Sequence, residues 1–175
     1  MKLIEQNIEG CYKIENEVFK DKRGFFFECM NEKILKKLSV EKIDQTNISK
    51  SHYGVFRGFH YQVEEKLTQF VTCIKGEVID FALDIRKDSS TFGKIVEVRL
   101  SEDNHHTLYL PPGLAHAFLS VSNETILLYH VAGKYVKGKE RGVNFNSLDL
   151  ELPFRPKIIN DRDLSWPSFD ECEYI

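Results

Sequence analysis

The feature that most restricts this chain is the brevity of its apolar runs. "GKIVEVRLSEDN" alternates cleanly, with Val96, Val98 and Leu100 on one side and Ile95, Glu97 and Arg99 on the other. That is the period of two of a half-buried strand. "GCYKI" and "RGFFFECM" also read as strands. "QFVTCIKGEVIDFALDIRK" reads as two strands joined at Lys75-Gly76, a tight-turn signal. "HTLYLPPGLAHAFLSVS" and "ETILLYHVAGKY" read as two further strand pairs. One short helix is predicted in "NEKILKKLS", with Asn31 as its N-cap and Ile34, Leu35 and Leu38 on one face. The tail "IINDRDLSWPSFDE" reads as irregular. Many short strands punctuated by Gly, Pro and Asn predict a β-sandwich or barrel. The 13 Phe and 7 Tyr against 1 Trp lean the same way, because aromatic rings pack well on a pleated surface.

The 175 residues suffice for one domain with a sizeable core, and residues 1–175 read as a single unit without repeats or linkers. A formal net charge of -3 argues against a general nucleic-acid binder but leaves room for a local basic pocket for an anion. Cys11, Cys29, Cys73 and Cys172 are scattered without a C-x-x-C pair, which fits reduced structural thiols in a cytoplasmic protein. The start "MKLIEQNIEG" has no apolar signal core, and no run approaches the ~20 residues of a membrane span.

One strand carries more polarity than its neighbours. "GVFRGFHYQ", Gly54 to Gln62, places Arg57 and His60 in an otherwise apolar run with Gly58 between them. In a regular strand the two would face opposite sides. A glycine inside a strand often marks a bulge that resets the facing, which would point both into one cavity. "LPPGLAHAF" contains P-x-G-x-x-H, ending on His116, and with "RGFHYQ" it is similar to the paired blocks of cupins. Metal-binding cupins have H-x-H in the first block and a later Glu. Here Gln62 stands at the second position, and only Glu64 and Glu65 follow, in an apparent loop. Three or four protein ligands are normal for a metal, so this pattern reads as metal-free. The tail offers Asp161 and Asp163 to orient an imidazole, and Tyr129 offers a phenolic proton. A His–Asp base facing a Tyr acid suits proton removal and return at a carbon next to a carbonyl.

The chain resembles the dTDP-4-dehydrorhamnose 3,5-epimerase family from about residue 10 to 169. The resemblance rests on "FKDKRGFFFE", "QTNISKSHYGVFRGFHYQ", "CIKGEVIDFALDIRKDSSTFGK", "LPPGLAHAFLSVS", "LLYHVAGKY" and "IINDRDLSWP" in that order. It implies a mainly β fold, a cupin double-stranded β-helix or jelly-roll barrel with a few short helices. It implies epimerisation of a nucleotide-diphosphate 4-keto-6-deoxy sugar, of the dTDP-4-keto-6-deoxyglucose type, at C3, C5 or both, in deoxysugar supply for a polysaccharide or glycosylated metabolite. His60 would be the catalytic base, Asp163 its partner and Tyr129 the general acid. The substrate would be held by Arg23, Gln45, Asn47, Arg57 and His116, with Glu28, Tyr135, Glu140 and Arg162 lining the site and Phe26 stacking on the base. Neither a redox cofactor nor a metal is implied. Nor is a nucleic-acid or membrane partner. The Arg23–Glu28 strand would cross to a neighbouring subunit, giving a homodimer with shared sites.

One departure stands out: "TQFVTC" has Gln69 where the family carries a lysine that helps hold the enolate oxygen. An amide donates a hydrogen bond without the charge. Either another cation such as Lys66 substitutes, or the substrate differs, or activity is reduced. The alternatives are a single-centre epimerase of a CDP- or GDP-linked sugar and a nucleotide-sugar-binding cupin with impaired chemistry. A sugar 3,4-ketoisomerase would need a second histidine where Gln62 stands.

Overall fold

The computed structural model describes residues 1–64 and 66–175. Its strands are β1 (Lys2–Glu5), β2 (Tyr12–Glu15), β3 (Val18–Asp21), β4 (Gly24–Phe27), β5 (Gln45–His52), β6 (Val55–Gln62), β7 (Thr68–Lys75) and β8 (Glu77–Asp84). They continue with β9 (Ile95–Ser101), β10 (His106–Leu110), β11 (Leu114–Ser120), β12 (Glu124–Ala132), β13 (Glu140–Gly142) and β14 (Ile158–Ile159). The helices are α1 (Glu32–Lys37) and α2 (Asp161–Leu164). One sheet has the order β1-β2-β10-β7-β12-β5; the other runs β13-β6-β11-β8-β9, with β14 added on β6. From β5 to β8 the chain changes sheet at every step. This is the double-stranded β-helix of a cupin, with two open sheets face to face.

The two strands read on either side of Lys75-Gly76 are present as β7 and β8. They do not pair with each other: β7 lies between β10 and β12, and β8 between β11 and β9. The turn signal there is a corner between sheets. β10 and β11 likewise belong to opposite sheets, and "ETILLYHVA" is one long strand. The tail is less irregular than its composition suggests, since it supplies β14 and α2. The predicted helix is present as α1, where the Asn31 side chain accepts the Ile34 N–H. Glu64 is exposed beyond β6, and Glu65 lies outside the described residues.

Alternation along each strand divides the apolar residues between two cores. Val71, Cys73, Val78, Ala82, Leu114, Phe118 and Leu127 pack between the sheets. Phe56, Phe59, Ile79, Phe81, Leu83, Ala115 and Ala117 point the other way and pack under the C-terminal segment. Arg57, His60, Asp80, His116 and Tyr129 belong to the surfaces that face each other across the sheets.

The Gly58 bulge is present. On β11, His116 stands opposite His60 and Phe118 opposite Arg57, so three steps of β6 match two of β11. The extra residue turns Arg57 and His60 to the same cleft. Gly58 has φ +125°, and a Cβ there would lie 2.4 Å from Ala117 Cβ and 2.5 Å from the His116 carbonyl oxygen. Gly58→Ala is expected to destabilise the fold by about 2–4 kcal/mol in urea unfolding, through backbone strain plus overpacking. Wild-type stability would show that β6 accommodates a side chain at the bulge.

Candidate active site

The bulge delivers His60 to the mouth of the space between the sheets, and the tail delivers its partner. Asn160 caps α2 by accepting the Arg162 N–H, which sets Asp163 inward. The Asp163 side chain is 3% exposed, and its Oδ1 lies 2.7 Å from His60 Nε2. Its Oδ2 accepts the Gly58 N–H at 3.2 Å. One carboxylate thus grips both the base and the bulge that presents it. Burial by itself would raise the Asp163 pKa, but the His60 bond, its charge and the Gly58 N–H together hold it below the usual carboxylate value. An ionised carboxylate only accepts, so Nε2 donates and the Nδ1 lone pair is left to act as base. Asp161, the other candidate, is exposed.

His60 shares an open cleft of ≈ 340 Å³ with Ser51, Arg57, Asn160, Arg162 and Asp163. Arg57 donates to Ser51 Oγ at 3.2 Å and to the Lys50 carbonyl at 3.1 Å. It pairs with no carboxylate among the described residues, so its charge is available to an anion. Arg162 lies 3.8 Å from Glu140 Oε1 and 4.0 Å from Asp163 Oδ1. Glu140 accepts the Tyr135 hydroxyl at 2.7 Å. Tyr135, Glu140, Arg162 and Asp163 form one polar chain along the rim.

Tyr129 stands on the other sheet. Its hydroxyl is 3.1 Å from Ser49 Oγ, and its ring meets His116 edge-on at 6.1 Å. Burial, reinforced by the negative charge of Asp80, pushes its pKa well above that of a free phenol despite the Ser49 contact. Tyr129 therefore keeps its proton at neutral pH. His116 Nε2 lies 2.8 Å from the buried Asp80. Asn47 is opposite Tyr129 on β5, and Gln45 donates to Asn47 Oδ1 at 2.7 Å. Gln69 shares the parity of Val71 and Cys73 on β7, so it faces inward, beside Gln62 and Leu114. Lys66 is exposed.

Of the predicted site residues, the cleft itself is lined by Arg57, His60, Arg162 and Asp163, and three others lie well away from it. Arg23 is held by Asp21 of its own hairpin, Phe26 packs on Phe19, and Glu28 accepts from Asn31. They line other clefts.

Ser49, Ser51, Asp80 and Trp166 escaped the reading of the sequence. The serines had a signal: Gln45, Asn47, Ser49 and Ser51 alternate along β5 and make one polar face. Asp80 interrupts an apolar strand, which was also visible. Trp166 had none. Its ring lies over Gly142, which stands opposite His60 on β13, and beside Arg162 at 5.7 Å.

Proton removal on one side of a substrate and return on the other is epimerisation, and the fold with its two-sided site places the protein among the cupin epimerases. Comparison with known proteins narrows the class. The family model described as dTDP-4-dehydrorhamnose 3,5-epimerase matches residues 5–171. A dTDP-4-dehydrorhamnose 3,5-epimerase from Shigella flexneri is 39% identical over 180 residues, covering 100% of this chain and 99% of that one. A dTDP-6-deoxy-D-glucose-3,5-epimerase from Legionella pneumophila Philadelphia 1, solved in complex with dTDP-4-keto-L-rhamnose, superposes with a TM-score of 0.92 at 30% identity, covering 97% of this chain and 93% of that one. A 3'-monoepimerase from Streptomyces bikiniensis, solved in complex with dTDP-quinovose, gives 0.87 at 28% identity, covering 93% and 85%. The chain belongs to the dTDP-4-dehydrorhamnose 3,5-epimerase family.

Trp166 is the chain's 1 tryptophan, so its fluorescence reports on the support of Asp163. A Cβ on Gly142 would come 2.4 Å from Trp166 Nε1. Gly142→Ala is expected to expel the indole, move its emission to longer wavelength and lower stability by about 1–3 kcal/mol. Unchanged emission would show that the strand yields instead of the ring.

Proposed function

We propose that His60, Asp163 and Tyr129 invert C3, C5 or both in a dTDP-linked 4-keto-6-deoxy sugar. The observation that carries this reading is the His60–Asp163 pair at 2.7 Å with Tyr129 on the facing sheet. A C–H next to a ketone is too weak an acid for imidazole unless the enolate is stabilised as it forms. His60 Nδ1 takes the proton, and the C–H electron pair becomes the carbon–carbon double bond of the enolate. The carbonyl π electrons move to oxygen. Collapse of the enolate returns electrons to carbon, which takes the Tyr129 proton from the opposite face. Solvent then reprotonates the phenolate and accepts the His60 proton.

Arg57 and Arg162 supply fixed positive charge for the diphosphate. Gln45 and Asn47 supply neutral donors along β5. The Shigella and Legionella relatives act at both centres by name, and the Streptomyces relative at one, so a barrel of this kind accommodates either outcome.

The test is hydrogen exchange with dTDP-4-keto-6-deoxyglucose in heavy water, followed at C3 and C5 by NMR. Deuterium is expected at one or both carbons, and His60→Ala is expected to lower the rate by at least roughly 10²-fold while the protein stays folded. Full activity of that variant would remove His60 from the role of base.

We also propose a homodimer with strands exchanged around Arg23–Glu28. Phe19, Phe25 and Phe26 are 56%, 57% and 65% exposed on the β3–β4 hairpin, and Ile48 is 72% exposed on the edge strand β5. A bare apolar hairpin and an open strand edge each favour a partner. The hairpin's Arg23 and Phe26 then complete the neighbour's site. Mixing His60→Ala with Arg23→Ala protein, each weak alone, is expected to restore activity through mixed dimers that hold one intact site. Absence of any recovery after subunit exchange would place Arg23 in its own chain's site.

A further inference from the structure

Gln62 follows His60 by two residues on β6, so both side chains leave the same face of the strand. Gln62 is 4% exposed. Its Nε2 donates to the Lys134 carbonyl at 2.9 Å, and its Oε1 accepts the Val136 N–H at 2.8 Å. These bonds bracket Tyr135, which is 49% exposed. The same loop is tied at its start, where the Gly133 N–H donates to Asp44 Oδ2 at 2.9 Å. A buried amide that satisfies backbone groups on both sides of an exposed tyrosine fixes the place of that tyrosine.

The loop folds back on Glu140, which stands opposite Gln62 in the β13–β6 pairing. The Tyr135 hydroxyl donates to Glu140 Oε1 at 2.7 Å, and the Gly138 N–H donates to Oε2 at 3.2 Å. Both oxygens of the carboxylate are thus engaged by the loop. The Tyr135 bond is the main reason that the Glu140 pKa lies below the usual carboxylate value; partial burial opposes it, and the Gly138 N–H and the Arg162 charge add to it. Arg162 Nη1 stands 3.8 Å from the same Oε1, beyond hydrogen-bond distance. The other carboxylate near Arg162 is Asp163 at 4.0 Å, and it is committed to His60 and the Gly58 amide. Each acid beside Arg162 is therefore occupied by another donor.

We propose that Gln62 is a positioning residue for substrate binding: by fixing Tyr135 on Glu140, it keeps the Arg162 guanidinium out of a direct bond with Glu140 and open to the substrate's diphosphate. With the loop released, Glu140 exchanges the phenol for Arg162, and the substrate must then break a charge-assisted pair. The effect falls on binding and not on proton transfer, because none of these groups touches the reacting carbon. This inference rests on the epimerase reading and on Arg162 as a contact of the diphosphate.

Gln62→Met removes both amide bonds at nearly constant side-chain length, and Tyr135→Phe removes the hydroxyl alone. Each is expected to raise KM for deuterium exchange into dTDP-4-keto-6-deoxyglucose by roughly three- to fivefold, the size of a rim ion pair, with kcat within about twofold. The double variant is expected to match the singles, because both act through one carboxylate. Glu140→Gln supplies the background that separates positioning from mere anchoring. A neutral amide does not capture Arg162 by charge, so adding Gln62→Met to Glu140→Gln is expected to leave KM where Glu140→Gln alone puts it. A Gln62→Met effect of equal size in both backgrounds overturns the proposal. So does an unchanged KM in Tyr135→Phe, even if Gln62→Met does not fold, and so does a loss confined to kcat. His60→Ala in the same assay tests the underlying reading. Normal exchange there overturns the epimerase site and this proposal with it; lost exchange there with an unchanged KM in Tyr135→Phe overturns this proposal alone.

Discussion

The Asp163 carboxylate is the constraint on which the site depends. It is buried, so each oxygen needs a donor, and the two donors are His60 and the Gly58 amide. Both belong to the same irregularity of β6. The bulge turns His60 toward the cleft, and the carboxylate that bonds the His60 imidazole also bonds the backbone of the bulge. The orientation of the imidazole and its position therefore come from one interaction. The tail must dock on β6 for that interaction to exist, which explains why β14 pairs with Val55 and Phe56 just upstream. It also explains why Trp166 closes over Gly142 on the other side.

The winding of the chain between two sheets provides the second requirement of an inversion. His60 and His116 lie on one sheet, and Tyr129 on the other. The space between the sheets is therefore bordered by an imidazole on one wall and a phenol on the other. Burial keeps Tyr129 protonated while hydrogen bonds keep Asp163 ionised, so the environment pushes the two titrations apart in the directions that acid and base roles require. Arg57 and Arg162 are exposed at the rim, where water can still solvate their charges.

Much of this was legible in residue order, though unevenly. Alternation in β9 and the Asn31 cap could be read because they depend on neighbours in sequence. The glycine between Arg57 and His60 could be read as a bulge because a glycine inside a strand often marks one. Strand pairing could not. Lys75-Gly76 looks like a hairpin turn, yet β7 and β8 belong to different sheets, because each strand must bury one face against strands far away in sequence. Asp80 was passed over for the same reason: a lone carboxyl in an apolar strand acquires meaning only when His116, 36 residues on, lies against it.

What the sequence determined by itself was the set of chemically capable residues and the local geometry of each: a strand interrupted by Gly58, a helix started by Asn31, a histidine, a tyrosine and an aspartate in recognisable surroundings. Only the tertiary structure decided which of them meet. It chose Asp163 over Asp161, bound His116 to Asp80, set Tyr129 across from His60 and left Arg23 and Phe26 on an outlying hairpin. The physical reason is that hydrogen bonds and desolvation act over a few ångströms. Those distances are set by sheet packing between segments about a hundred residues apart.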